Sequence, residues 1–314
     1  MTRIAFIGVG GVGGYFGGKL CLATENVLAS DFEVCFVARG AHLRAIQSRG
    51  LILNAGEQRE LLCRPAAAVE EVRELGSSVD IWFVCVKSYD LEAAARSIEP
   101  FVKSGTVVVP LLNGIDIYER IRTTVHTGIV LPACVYVGTH IEAPGVVTQK
   151  GGDGRILMGE DPQTRISPPE ELTRILGASG IQYEVCEDIS KRIWEKYAFI
   201  ATFGILTAGF DRCIGDVLNS TNLAGLARRI LAERQELAHR EGVAVPDDLV
   251  DATFARARSF PPDSKTSFQR DVERDGRRTE MDLYGGTLMR LCRKWNFEAP
   301  ALFSAIETLE SRVC

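Results

Sequence analysis

The sequence predicts a two-domain α/β protein, in which a parallel sheet with helices is followed by a domain made of helices alone. A chain of 314 residues is longer than one ordinary hydrophobic core organises. Its first half alternates short apolar runs with helix-like stretches, the pattern of βαβ units. No clear strand pattern remains after about Asp188. We therefore place the boundary at 187, which gives domains 1–187 and 188–314.

The first half contains the elements of a parallel sheet. Runs such as IAFI and IWFVCV are apolar throughout, as strands buried on both faces are. Strands are predicted at Ile4–Ile7, Glu33–Val37, Asp80–Val86 and Thr106–Pro110. Helices are predicted at Val12–Leu22, Leu91–Ile98 and Asp116–Thr123.

Between about 129 and 159 the sequence becomes rich in β-formers. The apolar stretches there are Val135–Ile141, Val146–Gln149 and Ile156–Met158. Turn signals at 143–145 and 151–154 separate them, which predicts an antiparallel hairpin added to the same sheet. A helix at Pro169–Leu176 and a strand at Gln182–Val185 complete the first domain. Four helices are predicted beyond it, at Ile189–Ala208, Ala224–Glu241, Asp247–Ala257 and Thr279–Trp295.

The composition excludes several classes of protein. The formal net charge is −5 and no dense basic stripe occurs, so nucleic acid is not expected as a partner. The apolar stretch 4–23 is interrupted by glycines and Lys19, which favours a strand, a turn and a helix over a membrane span. The nine cysteines are scattered without a C-x-x-C pair, which predicts reduced thiols in a cytoplasmic protein without a metal site.

A glycine-rich turn follows the first predicted strand. Gly8, Gly10 and Gly13 form G-x-G-x-x-G between that strand and the next helix, the context in which this motif binds a dinucleotide. The glycines allow a tight turn, close approach of a pyrophosphate, and packing of helix on strand, while the helix N-terminus attracts the phosphates. The sequence therefore predicts a Rossmann domain; a glycine turn without a ligand is the alternative.

The second strand indicates which dinucleotide is bound. NAD sites place an acid at the end of this strand, whereas here it ends in Ala38-Arg39-Gly40. The guanidinium of Arg39 can bind a 2′-phosphate through a fork of hydrogen bonds. We therefore expect NADPH/NADP as the cofactor, with a solvated surface role for Arg39 as the alternative. The spacing from Gly8 is longer than usual because of the stretch Glu25–Asp31.

Several short motifs together resemble the ketopantoate reductase (2-dehydropantoate 2-reductase) family over essentially the whole chain. Besides the glycines and Arg39, they are Val86-Lys87-Ser88, Leu112-Asn113-Gly114, Trp194-Glu195-Lys196 and Thr279-Glu280-Met281-Asp282. The resemblance implies a Rossmann domain joined to a helical domain like that of 6-phosphogluconate dehydrogenase. It implies NADPH-dependent reduction of a small 2-keto acid to a 2-hydroxy acid, as in pantothenate biosynthesis.

The resemblance also assigns roles to single residues. It places Lys87 near the adenosine of NADPH and Asn113 near the nicotinamide and the substrate. Reduction of a ketone leaves an alkoxide that must gain a proton, and Lys196 matches the family's catalytic lysine. Glu280 matches an acid that holds the lysine and substrate in register, and Ser267 matches a serine that binds the substrate carboxylate. The alternatives are an exposed loop lysine for Lys87, an Asn-Gly turn for Asn113 and a loop hydroxyl for Ser267. For Lys196 and Glu280 the alternative is a salt bridge on the helix surface.

The chain departs from the family at two positions of the lysine-bearing helix. Residues 196, 200 and 204 share one helix face, and the family's two substrate-binding asparagines are replaced by Ile200 and Gly204. We interpret this as an apolar side chain and an empty space, which favours a 2-keto acid with a bulkier or more apolar tail than ketopantoate. Alternatively, Thr202 or Ser264 binds the ketopantoate hydroxyl, and the protein is an ordinary ketopantoate reductase.

Two other functions remain as alternatives. A non-catalytic NADPH-binding sensor would keep the glycines and Arg39 but would not need Lys196 and Glu280. A β-hydroxyacid dehydrogenase would carry a G-x-x-x-N-x-x-K pattern, which is absent. None of the four histidines lies in a dehydrogenase motif, which disfavours a histidine acid–base mechanism. The expected partner is the small 2-keto acid substrate; a homodimer is an assembly that the sequence leaves open.

Overall fold

The computed structural model describes residues 1–26, 31–76, 78–274 and 278–313. The chain divides into two compact units, Met1–Ile189 and Ser190–Cys314. The assignment of 1–187 to NADP binding and 188–314 to catalysis concerns function and stays a prediction. The stretch Glu25–Asp31, invoked for the long spacing between Gly8 and Arg39, lies partly outside the described residues.

The first unit contains eleven strands and five complete helices among its described residues. The strands are β1 (Thr2–Ile7), β2 (Phe32–Val37), β3 (Leu51–Ala55), β4 (Gln58–Cys63), β5 (Ala67–Val69), β6 (Ile81–Val84), β7 (Val107–Pro110), β8 (Ile129–Val130), β9 (Ala133–Ala143), β10 (Val146–Met158) and β11 (Tyr183–Val185). The helices are α1 (Gly11–Asn26), α2 (Gly40–Arg49), α3 (Leu91–Ile98), α4 (Ile117–Arg122) and α5 (Glu170–Ala178). Short 3₁₀ turns occur at Val72–Leu75, Ser88–Asp90 and Glu99–Phe101.

Six of these strands form the predicted parallel sheet. Their order is β5-β2-β1-β6-β7-β8, and every neighbouring pair is parallel. The chain winds outward from β1 in one direction and then returns to build the other half from β6, the arrangement of a Rossmann sheet. All four residues of β6 and of β7 are buried, which explains the uninterrupted apolar runs of the sequence.

The hairpin between 133 and 158 was expected in the same sheet, and this prediction is wrong. Strands β9 and β10 form the antiparallel pair, but β10 also pairs in parallel with β3 and β11, and β3 pairs with β4. These five strands make a second sheet. Helix α1 contributes Phe16 to a core that also includes Phe6 of the first sheet and Val147 of the second. Burial of apolar side chains on both sides of α1 therefore holds the hairpin away from the first sheet.

The glycine run 151–154 was expected to be a turn, and it lies instead within β10. The pairing of β10 with β9 shifts in register between Gln149 and Gly151 and again between Gly151 and Arg155. Gly152 and Gly154 both have a φ of +72°, a conformation that glycine adopts at such irregularities. The run therefore bends a continuous strand of 13 residues rather than ending it.

The second unit is helical, as predicted: its described residues contain no strand. Its helices are α6 (Ile189–Phe210), which begins at the last residue of the first unit, α7 (Ile214–Asn219), α8 (Thr221–Arg240), α9 (Leu249–Arg258), α10 (Ser267–Val272), α11 (Thr287–Trp295) and α12 (Pro300–Val313). The helix predicted from Thr279 differs at its start, where a π-helical turn, Asp282–Gly286, precedes α11. Helices α7, α10 and α12 were not predicted. No helix among the described residues is long and apolar enough to cross a bilayer.

Candidate active site

In the first unit, the predicted cofactor residues follow four neighbouring parallel strands at their carboxyl ends. The ends of β1 and its neighbours are tied together by backbone hydrogen bonds. The Gly8 N–H donates to the Val37 carbonyl (3.1 Å), and the Cys85 N–H donates to the Ile7 carbonyl (2.8 Å). Gly8 thus lies between the segment that carries Arg39 and the segment that carries Lys87. This edge, between β1 and β6, is where the winding of the sheet changes direction and where open α/β sheets bind ligands.

The glycine turn is crowded on its inner side. Gly8 has a φ of +89°, and a Cβ atom there would stand 2.8 Å from the backbone of Cys85 and Val86. A Cβ atom on Gly13 would collide with the Gly8 carbonyl oxygen and lie 3.1 Å from the Cys85 Cβ. Both positions therefore require glycine, one for its backbone conformation and both for space.

The outer side of the same turn is open. Among the described residues, no atom beyond Gly10 and its chain neighbours lies within 4 Å of the position that a Cβ on Gly10 would take. Helix α1 begins at the next residue and has no acidic residue in its first turn. Its free N–H groups and partial positive charge therefore face a space that a phosphate can enter. The residues present fit the pyrophosphate of a dinucleotide.

Arg39 lies directly after β2, before the first residue of α2. Its Nη2 makes a salt bridge with Oδ2 of Asp90 at 3.2 Å, and their side chains are 70% and 30% exposed. Asp90 is the last residue of the 3₁₀ turn that follows β6. This carboxylate is not recognisable from the sequence, because nothing in it links positions 39 and 90.

Lys87 and Asn113 follow the next two strands. Lys87 is exposed and precedes the 3₁₀ turn Ser88–Asp90, in which the Asp90 N–H donates to the Lys87 carbonyl (2.9 Å). Arg120 of α4 holds this turn from outside, since its Nη2 donates to the Ser88 carbonyl at 2.9 Å. Asn113 is half-buried, three residues after β7. All the predicted cofactor residues therefore share one edge of the sheet: Gly8, Gly10, Gly13, Arg39, Lys87 and Asn113.

In the second unit, the predicted catalytic residues are buried. Lys196 and Glu280 are each only 7% exposed. Lys196 lies on α6, and Glu280 lies just before the π-helical turn Asp282–Gly286. Burial of an ammonium and a carboxylate is costly unless other groups or a function compensate for it. Buried ionisable side chains are therefore candidates for active-site residues.

The space predicted at Gly204 is filled, so this part of the prediction is wrong. A Cβ atom on Gly204 would stand 3.1 Å from Cδ1 and Cε1 of the Tyr284 ring. Tyr284 stacks on Phe268, with ring centroids 4.3 Å apart. Ile200, one turn earlier on α6, is half-buried. An aromatic pair and an aliphatic side chain therefore line this side of α6.

Tyr284 also links the aromatic pair to polar residues of the site. It shares a hydrogen bond with Ser267, the residue expected to bind the substrate carboxylate. Burial raises the pKa of the Tyr284 hydroxyl, and the nearby Glu280 carboxylate raises it further, while the bond with Ser267 opposes both effects. The hydroxyl therefore stays protonated at neutral pH. Tyr284 follows Glu280 by four residues, a helical spacing that could have indicated it.

The opposite side of α6 faces a buried arginine. Arg234 of α8 is 1% exposed, and its Nη1 donates to the Thr202 hydroxyl (2.6 Å) and to the Ala198 carbonyl (3.3 Å). Thr202 is itself fully buried. Its hydroxyl therefore contributes to packing between α6 and α8, and it does not fit the alternative role of binding a substrate hydroxyl.

The predicted site residues thus fall into two groups, one in each unit. The first unit contains the predicted cofactor residues Gly8, Gly10, Gly13, Arg39, Lys87 and Asn113. The second unit contains Lys196, Ile200, Gly204, Ser267 and Glu280. Among the described residues, no three His, Cys, Asp or Glu side chains are grouped so that they could hold a metal ion.

Family models match both units of the chain. The model described as ketopantoate reductase PanE/ApbA matches residues 4–163, and the model of its C-terminal domain matches residues 188–312. Together the matches cover most of the chain and occur in the expected order.

Individual proteins and structures agree with the family models. The 2-dehydropantoate 2-reductase of Mesorhizobium japonicum is 28% identical, over 96% of this chain and 94% of that protein. The crystal structure of 2-dehydropantoate 2-reductase from Porphyromonas gingivalis is 29% identical, covers 98% of this chain and 99% of its own, and has a TM-score of 0.82. A D-mandelate dehydrogenase complex with NADH and anilino(oxo)acetate is 21% identical, covers 99% of this chain and 98% of its own, and has a TM-score of 0.85, which shows a shared fold.

Proposed function

Because the chain belongs to the ketopantoate reductase family, a family of oxidoreductases, we propose that it reduces a 2-keto acid to a 2-hydroxy acid with NADPH. The observation that carries this proposal is the burial of Lys196 and Glu280, the two ionisable residues that the family resemblance assigns to catalysis. A sensor that only binds NADPH has no need of this buried pair of groups.

The first unit supplies the cofactor site. Gly8, Gly10 and Gly13, with the N-terminus of α1, would hold the pyrophosphate, and Arg39 would bind the 2′-phosphate. Lys87 would lie along the adenosine and Asn113 near the nicotinamide. When bound, NADPH supplies the hydride that the carbonyl carbon of the substrate receives.

The second unit supplies the proton. The Lys196 ammonium would donate a hydrogen bond to the carbonyl oxygen of the substrate, which makes its carbon more electrophilic. As negative charge develops on this oxygen, the ammonium transfers one proton to it, and solvent later restores that proton. Glu280 would orient Lys196 and the substrate, and Ser267 would bind the substrate carboxylate.

For the substrate, we propose a 2-keto acid with a more apolar tail than ketopantoate. Ile200 offers no hydrogen bond, and Gly204 is covered by the ring of Tyr284, which stacks on Phe268. A hydroxyl of the substrate left unpaired against such groups costs about 1–3 kcal/mol, or roughly 10- to 100-fold in affinity. Ketopantoate carries such a hydroxyl on C4, whereas branched and aromatic 2-keto acids do not.

The test is NADPH oxidation measured with ketopantoate and with branched and aromatic 2-keto acids. We expect the highest kcat/KM for an apolar substrate; a wide margin in favour of ketopantoate would contradict the substrate proposal alone.

Lys196→Ala should lower kcat on the best substrate by about 10²-fold or more, the usual scale for loss of a general acid, without loss of NADPH binding. Lys191→Ala, on the same helix, is the matched control. Near-full activity of Lys196→Ala would refute the mechanism.

A further inference from the structure

We propose that Asp90 sets the choice between NADPH and NADH, because it holds Arg39 in competition with the 2′-phosphate. The inference rests on the proposed function, in which Arg39 binds that phosphate. It starts from the salt bridge between Arg39 Nη2 and Asp90 Oδ2 at 3.2 Å. The acid that NAD sites carry at the end of β2 is absent here, and Asp90 supplies a carboxylate to the same edge from β6.

The sheet explains why residues 39 and 90 meet. Strand β1 lies between β2 and β6, so the two side chains come from strands about 10 Å apart and join over the end of β1. This end carries Gly8 and the glycine turn. The salt bridge therefore joins the segments on either side of the predicted pyrophosphate site, and its residues would lie near the ribose that carries the 2′-phosphate.

The backbone holds the Asp90 carboxylate at this position. The Asp90 N–H donates to the Lys87 carbonyl, and Arg120 fixes the same turn through the Ser88 carbonyl. Asp90 occupies the N-cap position of α3 but makes no capping hydrogen bond with its side chain. Its Oδ2 accepts a hydrogen bond from Arg39 Nη2.

The two cofactors respond to this carboxylate in opposite ways. The 2′-phosphate of NADPH would compete with Asp90 for the Arg39 guanidinium and would lie near a negative carboxylate, which weakens binding. The 2′-hydroxyl of NADH is neutral and can donate a hydrogen bond to the same carboxylate. Asp90 therefore weakens binding of NADPH and strengthens binding of NADH, while Arg39 does the reverse for NADPH.

The test compares dissociation constants of NADPH and NADH, measured by calorimetric titration without substrate. In Asp90→Asn, NADPH should bind about three- to tenfold more tightly, the scale of an exposed ion pair together with one like-charge repulsion. NADH should bind more weakly, so the ratio of the two constants should shift by about tenfold or more. Asparagine is also a good N-cap residue, so α3 is preserved.

Two further variants separate the possible failures. Glu170→Gln removes one exposed carboxylate from the first turn of another helix in the same unit, and it should leave the ratio unchanged. Arg39→Ala should weaken NADPH binding and leave NADH binding unchanged.

If Arg39→Ala has this effect but Asp90→Asn leaves the ratio of the two dissociation constants as it is in the wild type, the role of Asp90 is refuted. If Arg39→Ala leaves NADPH binding unchanged, the proposed use of Arg39 fails instead. Equal weakening of both cofactors by Asp90→Asn would indicate structural damage and would also overturn the inference.

Discussion

At the scale of single residues, His42 joins the first helix after β2 to the second sheet. Its Nδ1 accepts a hydrogen bond from the Gly145 N–H at 3.0 Å, in the turn between β9 and β10. An imidazole that accepts at Nδ1 must be unprotonated there. Burial lowers the pKa of His42 below its ordinary value of 6.5. The folded protein therefore favours the neutral form.

This predicts a loss of stability in mild acid. The pKa of His42 is lower in the folded than in the unfolded chain, so its contribution is complete above about pH 6.5 and declines as the pH falls through the window below that value. The slope from one such group is at most about 1.4 kcal/mol per pH unit. Urea unfolding between pH 7.5 and 5 should show this decline in the wild type and a weaker one in His42→Gln, whose amide oxygen accepts without titrating. Parallel curves would show that His42 has no such role.

Sequence patterns identify residues whose function depends on local structure. Gly8, Gly10 and Gly13 are recognisable because a strand, a turn and a helix must follow each other closely around them. Asp90 is not recognisable in this way, because its importance depends on a contact with Arg39, 51 positions away. The spacing of Tyr284 from Glu280 is local, but its contact with Gly204, 80 positions away, is not. Only the folded chain creates such contacts.

At the scale of elements, the packing of α6 on α8 includes a buried cation, Arg234. Arg234 forms no salt bridge with a carboxylate among the described residues, and its Nε and Nη2 lack hydrogen-bond partners there. Burial lowers its pKa to about 10, which still leaves it charged at neutral pH. Its contacts are the Thr202 hydroxyl, the Ala198 carbonyl and the face of the Tyr197 ring.

We predict that Arg234→Met does not destabilise the protein. Methionine fills most of the same space, and it removes a buried charge and two unsatisfied N–H groups that cost about 1–3 kcal/mol. The freed Thr202 hydroxyl can donate to the Ala198 carbonyl one turn earlier in its own helix. The midpoint of thermal unfolding should stay unchanged or rise, whereas Arg234→Ala, which leaves a cavity, should lower it. A lower midpoint in the methionine variant would contradict this account.

The second sheet shows what periodicity alone leaves out. The first sheet is predictable because its central strands are buried on both faces and read as apolar runs. Strand β4, with the sequence QRELLC, is exposed over its first half, and β5 has only three residues. Such short or half-exposed strands are defined by their partners rather than by their own composition. Likewise, the run 151–154 has the residues of a turn, but pairing with β9 keeps it within a strand.

At the scale of the whole molecule, the predicted cofactor-binding and catalytic residues lie in different units. All six predicted cofactor residues belong to the first unit, and the predicted proton donor belongs to the second. The order of the two family matches along the chain supports this division of roles, which we propose for the protein.

Binding of NADPH should therefore stabilise the folded protein by mass action. At a concentration a hundredfold above Kd, the free energy of unfolding should rise by about 2.7 kcal/mol, which calorimetry detects as a higher unfolding temperature. Hydrogen exchange should slow first at the carboxyl ends of β1, β2, β6 and β7. Gly13→Ala is the control: its Cβ collides with Gly8, so NADPH should no longer raise its unfolding temperature. Absence of any shift in the wild type at millimolar NADPH would contradict the cofactor assignment.

The contrast between the crowded glycines and the exposed Arg39–Asp90 pair has an evolutionary consequence. Any amino-acid replacement at Gly8 or Gly13 introduces at least a Cβ atom into a space that cannot hold it. We therefore expect no substitution to be tolerated at either position. The side chains at positions 39 and 90 are 70% and 30% exposed, and neither residue belongs to the hydrophobic core. With the roles proposed for Arg39 and Asp90, substitutions at these two positions would change the preference between NADPH and NADH. A laboratory library limited to the two codons should then sample the same changes.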